Sequence, residues 1–194
     1  MRKCVLLLVL LLPLFIMAQK PAINYGLIDS NDHSFAFKSL HNSYDSIIAY
    51  TTEGYWQSNK INYAVIVLKK GTYFKGLLHL ERTKNNRWSE AVVKLKKANP
   101  TETKAIIEQL SASGLWKLSP DSLNDQNKKN PDGSVVALTL HDGVNFRFEL
   151  ISANKFLAIE SYAPEYFVEE ILYSTQRRKF IKIRDKFMKD FKAL

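Results

Sequence analysis

Cysteine is nearly missing from this chain: Cys4 is the only one in 194 residues. It stands ahead of a short apolar run, so removing that run as a leader would leave no thiol. Thiol catalysis, cysteine-held metal and disulfide bracing are then excluded. Bracing is not needed either, because a chain of this length buries about 70% of its unfolded surface in one core. Glycine is also scarce, at seven residues, and no two form a GxG pair. That excludes a dinucleotide fingerprint and a Walker A loop, both of which need glycines where backbone approaches phosphate. No GxSxG nucleophile elbow occurs.

Histidine supplies little more. His33, His41, His79 and His141 are the only four, and none has the HExxH spacing. His33 beside Asp32, with His41 nearby, reads as a pair of solvated loop histidines rather than a metal site. His79 and His141 fall on the polar faces of predicted strands, where solvent exposure is expected. An EF-hand counted from Asp125 has Lys129 at its fifth position, Asn130 in place of glycine and Val136 in place of the bidentate glutamate. No metal and no cofactor is expected. The acid–base candidates that remain are dispersed carboxylates: Glu53, Glu90, Glu149, Glu160, Glu165, Glu169 and Glu170.

What the chain does have begins at its start. Arg2 and Lys3 precede an apolar stretch from Cys4 to Met17, broken by Pro13 and closed by Ala18 before Gln19-Lys20. That is the layout of a secretory signal peptide, with cleavage expected between Ala18 and Gln19. The run is short of the roughly 20 apolar residues a spanning helix needs, so membrane contact is expected to be transient. Lipid anchoring is not expected, because Cys4 precedes the run instead of following it. The expected product is a periplasmic or extracellular, cysteine-free protein of the kind found in bacterial envelopes. Loss of Arg2 and Lys3 takes the formal charge from +9 to +7. The positive residues are spread out, which favours solubility over a specific anionic partner, and export argues against nucleic acid.

Residues 19–45 are rich in turn formers and predict an irregular N-terminal arm with room for a short helix or strand. A single α+β domain is expected over 46–194. Residues 46–56 read as a strand. Residues 62–69 (NYAVIVLK) are apolar on both alternating faces and predict a central strand covered on both sides. With 73–81 and 88–96 they form an antiparallel meander. Phe74, Leu78 and Leu80 share one face of the second of these; Lys75, His79 and Glu81 share the other. Asn99-Pro100 with Glu102 then starts a helix that Gly114 stops. Residues 119–134, with Leu123 their single large apolar residue, predict a long surface loop. Alternation over 136–141, a turn at Asp142-Gly143, and alternation over 144–150 and 156–160 predict a second meander. Pro164 can open a helix, and Phe180, Ile183, Phe187 and Phe191 mark a C-terminal amphipathic helix.

The expected fold is therefore α+β: mainly antiparallel sheet built from two meanders, covered by a middle helix and a C-terminal amphipathic helix. The aromatic cluster Tyr162, Tyr166 and Tyr173 is the candidate binding patch, since tyrosine offers an apolar face and a polar tip. The basic C-terminal helix is expected to dock its Phe-rich face on the sheet rather than on a membrane. The expected function is a non-catalytic exported domain that binds a protein, glycan or envelope component. A secreted hydrolase using dispersed carboxylates or histidines is the alternative.

Overall fold

The computed structural model describes residues 34–54, 59–152, 155–171 and 173–193. The expected leader with its expected cleavage point, the arm through His33, Tyr55-Trp56 at the end of the first predicted strand, and Ala153-Asn154 lie outside the described residues.

An antiparallel sheet of six strands carries the fold, and the class is α+β. Its strands are β1 (Ser46–Gly54), β2 (Lys60–Lys69), β3 (Thr72–Glu81), β4 (Val92–Lys97), β7 (Val144–Ser152) and β8 (Lys155–Tyr162), in the order β4-β3-β2-β1-β7-β8. β2 is buried on both faces as its composition predicts: Tyr63, Val65 and Val67 face one way, Ala64 and Ile66 the other. Lys70 and Gly71, both at positive φ, make the tight connection to β3.

One face of the sheet takes the long helices. α2 (Pro100–Ala112) and α5 (Thr175–Ala193) bring Ile106, Leu110, Phe180, Ile183 and Phe187 onto Ile48, Tyr50, Ala64, Ile66 and Phe148. Phe148 meets Phe180 and Phe187 nearly edge-on, at 5.9 and 5.3 Å. Such ring pairs add about 0.5–1.5 kcal/mol each beyond their burial. α2 starts as its sequence predicts, the Asn99 Oδ1 accepting from the amides of Thr101 and Glu102 at 3.0 and 3.4 Å. It stops at Gly114, at φ 71°. On the opposite face a short helix in the arm, α1 (Phe35–Leu40), seats Ala36 and Leu40 on Ile47, Ala49, Tyr63 and Val65.

Three expectations are corrected. Residues 119–134 are not a loop. They hold α3 (Pro120–Asn124) and β5 (Asn127–Lys129), which pairs with β6 (Val135–Ala137) in a separate two-stranded sheet. Ser119-Pro120 repeats the Asn99-Pro100 signal, Ser119 Oγ accepting from the Ser122 amide, and Leu123 is fully buried. One anchored apolar residue is too few to show as periodicity, which is why the segment looks unstructured in sequence. Pro131-Asp132-Gly133 does form the expected turn, with Gly133 at φ 84° and Asp132 Oδ1 accepting from the Ser134 amide.

The second meander is likewise reduced to a hairpin of β7 and β8. Residues 136–141 do not pair with β7, whose other edge is taken by β1 from Ser46↔Ser152 to Gly54↔Val144. Alternation identifies a strand but not its neighbour, and pairing with β1 joins the apolar faces of both segments into one sheet. His141-Asp142 is instead a bend, flanked by contacts to Tyr162, whose hydroxyl accepts from the Gly143 amide and donates to the Leu140 carbonyl, both at 2.8 Å.

Lys75 also departs from its polar-face assignment, being only 5% exposed. Its ammonium donates to the Phe191 carbonyl at 3.2 Å, in the last turn of α5, and lies 5.5 Å from the Phe191 ring centre. Burial pulls its pKa down, and Lys96 adds to that. The negative end of the helix dipole offsets the desolvation.

Candidate functional site

Strand alternation puts a polar row on the face opposite the long helices. Arg147 on β7 stands across from Thr51 on β1 and Glu160 on β8; Asn145 stands across from Glu53 and Tyr162. All these positions share the face that carries α1. At the open end of this face Glu53, Asn145, Glu160 and Tyr162 line a cleft of about 640 Å³ with Arg82, Trp88 and Asn124. The volume falls in the range of small-ligand sites, about 300–1,000 Å³.

An ionic cluster adjoins the cleft through Glu160. Glu149 is completely buried; Ser34 Oγ donates to its Oε2 at 2.5 Å, and Arg147 Nε lies 2.9 Å from its Oε1, off the line of a straight hydrogen bond. Burial pushes the Glu149 pKa up, while the Arg147 charge and the Ser34 hydroxyl pull it back. The same guanidinium reaches Glu160 at 3.6 Å, and Asn145 Nδ2 donates to Glu160 at 3.3 Å. Glu160 is thus held from two sides where it meets the cleft. Tyr63, beneath the row, has its phenol pKa raised by burial first and by the Glu149 and Glu53 charges next.

The rim is aromatic and basic. Trp88 bridges back to Arg82, whose guanidinium lies 5.1 Å from the indole centre, and the Phe35 ring meets Trp88 edge-on at 5.6 Å. The cleft therefore combines one aromatic wall, two amides, a cation and two carboxylates. Such a set can hydrogen-bond a polar ligand and pack one of its apolar faces.

The three sequence candidates do not converge. Tyr162 lines this cleft with its hydroxyl already committed to Leu140 and Gly143. Tyr166 packs edge-on against Phe167 at 5.1 Å. Tyr173 is 89% exposed and borders a different recess, of about 370 Å³, beside the start of α5. Neither Trp88 nor the Glu53–Asn145–Glu160 set is visible as a site in sequence. Only the placement of β1 against β7 brings them together.

Of the described histidines, His141 is exposed as expected, while His41 and His79 have partners. His41 Nδ1 is 2.7 Å from the Phe37 carbonyl, and its ring stacks on Phe37 at 4.2 Å. His79, expected in solvent, is partly covered and lies between Asn62 Oδ1 and Glu81. Among the described residues no group of three His, Cys, Asp or Glu side chains could hold a metal, and no helix is long and apolar enough to cross a membrane.

No family model matches this chain, and no curated protein matches it.

Proposed function

We propose that this protein is an exported, non-catalytic binding domain of the bacterial cell envelope whose cleft takes a polar ligand of glycan character. The leader-like start, with its expected cleavage between Ala18 and Gln19, supports export. The observation that carries the binding reading is the state of Glu160, tied to Arg147 and Asn145 in an open cleft walled by Trp88. Those contacts fix the orientation of the Glu160 carboxylate, whose oxygens can accept hydrogen bonds from the hydroxyls of a ligand. Trp88 supplies a flat apolar wall of the type on which a sugar ring packs.

The second reading, a secreted hydrolase, rests on Glu53 and Glu160 lining the same cleft. One experiment separates the two. Soluble envelope oligosaccharides are titrated calorimetrically into the protein and into Trp88→Ala, and the mixtures are then assayed for new reducing ends. Binding that Trp88→Ala weakens, with no cleavage, is the expected result. Reducing ends that appear with the parent and vanish with Glu160→Gln would establish the hydrolase instead.

A further inference from the structure

The recess beside α5 is separate from the Trp88 cleft, and α3 stands between them: Asn124 lines the cleft, while Ser122 and the following Asp125 line the recess. Its back wall is the start of α5, where Ser174 precedes the first helical residue and its carbonyl accepts from the Arg178 amide. A serine at that position ordinarily turns its oxygen onto an amide of the first turn. Ser174 does not. Its residue is 8% exposed, its Oγ is buried, and among the described residues that oxygen has no hydrogen-bond partner. Ser174 is one of the residues that line the recess, and its hydroxyl is an unused donor.

The electrostatics around it point the same way. The 19-residue helix presents its positive end here, and no acidic side chain stands in its first turn. That turn instead carries Arg177 and Arg178, the wrong sign for the dipole. Lys128 and Lys129 come from β5 on the other side. The carboxylates nearby are engaged: Glu170 pairs with Lys128 at 2.9 Å, and Asp125 Oδ1 accepts from the amide and the side chain of Asn127. Arg177 is occupied by backbone carbonyls but keeps its charge. The recess thus holds more positive charge than its own acids cancel, a buried hydroxyl donor, and helix-start amides that lack intrahelical acceptors.

We propose that this recess binds a phosphate group. The oxyanion accepts from Ser174 Oγ–H and from the first-turn amides of Gln176 and Arg177, while Lys129 closes it from β5. This is the arrangement by which helix N-termini hold phosphate, with the otherwise unpaired hydroxyl supplying the donor that distinguishes this helix end.

The test is an amide-resolved NMR titration of the ¹⁵N-labelled full protein, as its host accumulates it, at constant ionic strength. Inorganic phosphate replaces chloride in one arm, and glycerol 3-phosphate does so in the other. Saturable shifts are expected at residues 174–177 and 129. Ser174→Ala and Lys129→Gln should each weaken binding about tenfold, the loss of one charge-assisted contact, with the remaining amides unmoved as evidence of an intact fold. Tighter binding of glycerol 3-phosphate assigns a phosphate ester; equal or weaker binding assigns the free ion. Shifts spread over the surface lysines, or unchanged in Ser174→Ala, would show only charge screening and overturn the proposal.

Discussion

Arg177 Nε donates to the Leu123 carbonyl at 2.7 Å, and Arg177 Nη2 donates to the Asp125 carbonyl, from a side chain only 1% exposed. This one guanidinium, reaching from the first turn of α5, fastens down α3 and the start of β5. The Phe167 ring covers it at 4.8 Å. Burial draws its pKa down, and the Asp125 charge opposes that. Segment 119–134 is ordered through a contact more than fifty residues away in sequence.

Replacing Arg177 with Met should therefore destabilise the protein by about 3 kcal/mol, since it removes two hydrogen bonds from a charged donor, leaving only Ser161 Oγ on the Leu123 carbonyl. Chemical denaturation measures the total. Amide hydrogen exchange localises it: protection should fall first over residues 120–137. Uniform loss across the sheet, with that segment no worse than the rest, would contradict the fastening role.

Glu149 gives a pH prediction. Its folded pKa is raised, chiefly by burial, above the unfolded value of 4.5. Between those two values the folded protein binds more protons than the unfolded chain. The stability that Glu149 contributes is thus fully present below pH 4.5 and is lost as pH rises through its folded pKa. Glu149→Gln keeps a neutral side chain of the same shape and should flatten that part of the profile. Urea midpoints from pH 4 to 8 for both proteins check it (the parent declining relative to the variant as pH rises). Parallel profiles would show that the buried carboxyl is not the source.

Gly76 on β3 sits under the backbone of β4. A Cβ there would lie 1.8 Å from the Lys94 carbonyl oxygen and 2.9 Å from the Leu95 Cα. Backbone cannot swing aside as a side chain can, so Gly76→Ala must push the edge strand away. A cost of about 2–3 kcal/mol is expected, typical of overpacking. Gly71→Ala meets nothing within 4 Å and should cost only the strain of its φ of 75°, about 1–2 kcal/mol. Thermal unfolding of the pair should rank Gly76→Ala as the more damaging. The reverse order would mean that β4 is looser than its pairing implies.

The legible parts of the fold were those whose signal is local. β2 announces itself through five successive buried apolar residues. α2 announces itself through Asn99-Pro100, and α5 through phenylalanines on one face. Each depends on periodicity or capping within a few residues. The fate of 136–141 was not legible, because its alternation is equally compatible with pairing to β7 or, as found, to β5 over 135–137. Lys75 was misread for a related reason: nothing near it in sequence reveals that the end of α5 arrives above it.

The candidate sites lie still further from the sequence. Glu53, Trp88, Asn145 and Glu160 come from four segments, and for the three on strands the face each occupies follows from alternation. That they share one cleft follows from β1 lying between β2 and β7. Ser174 and Lys129 line one recess, where Arg177 ties α3 and the start of β5 to α5. By itself the amino-acid sequence determined the α+β class and the main elements, because those are properties of composition and short-range spacing. The tertiary structure alone decided which polar residues became neighbours, because strand order and helix docking are set by burying apolar faces, and the polar side chains are carried to wherever that burial leaves them.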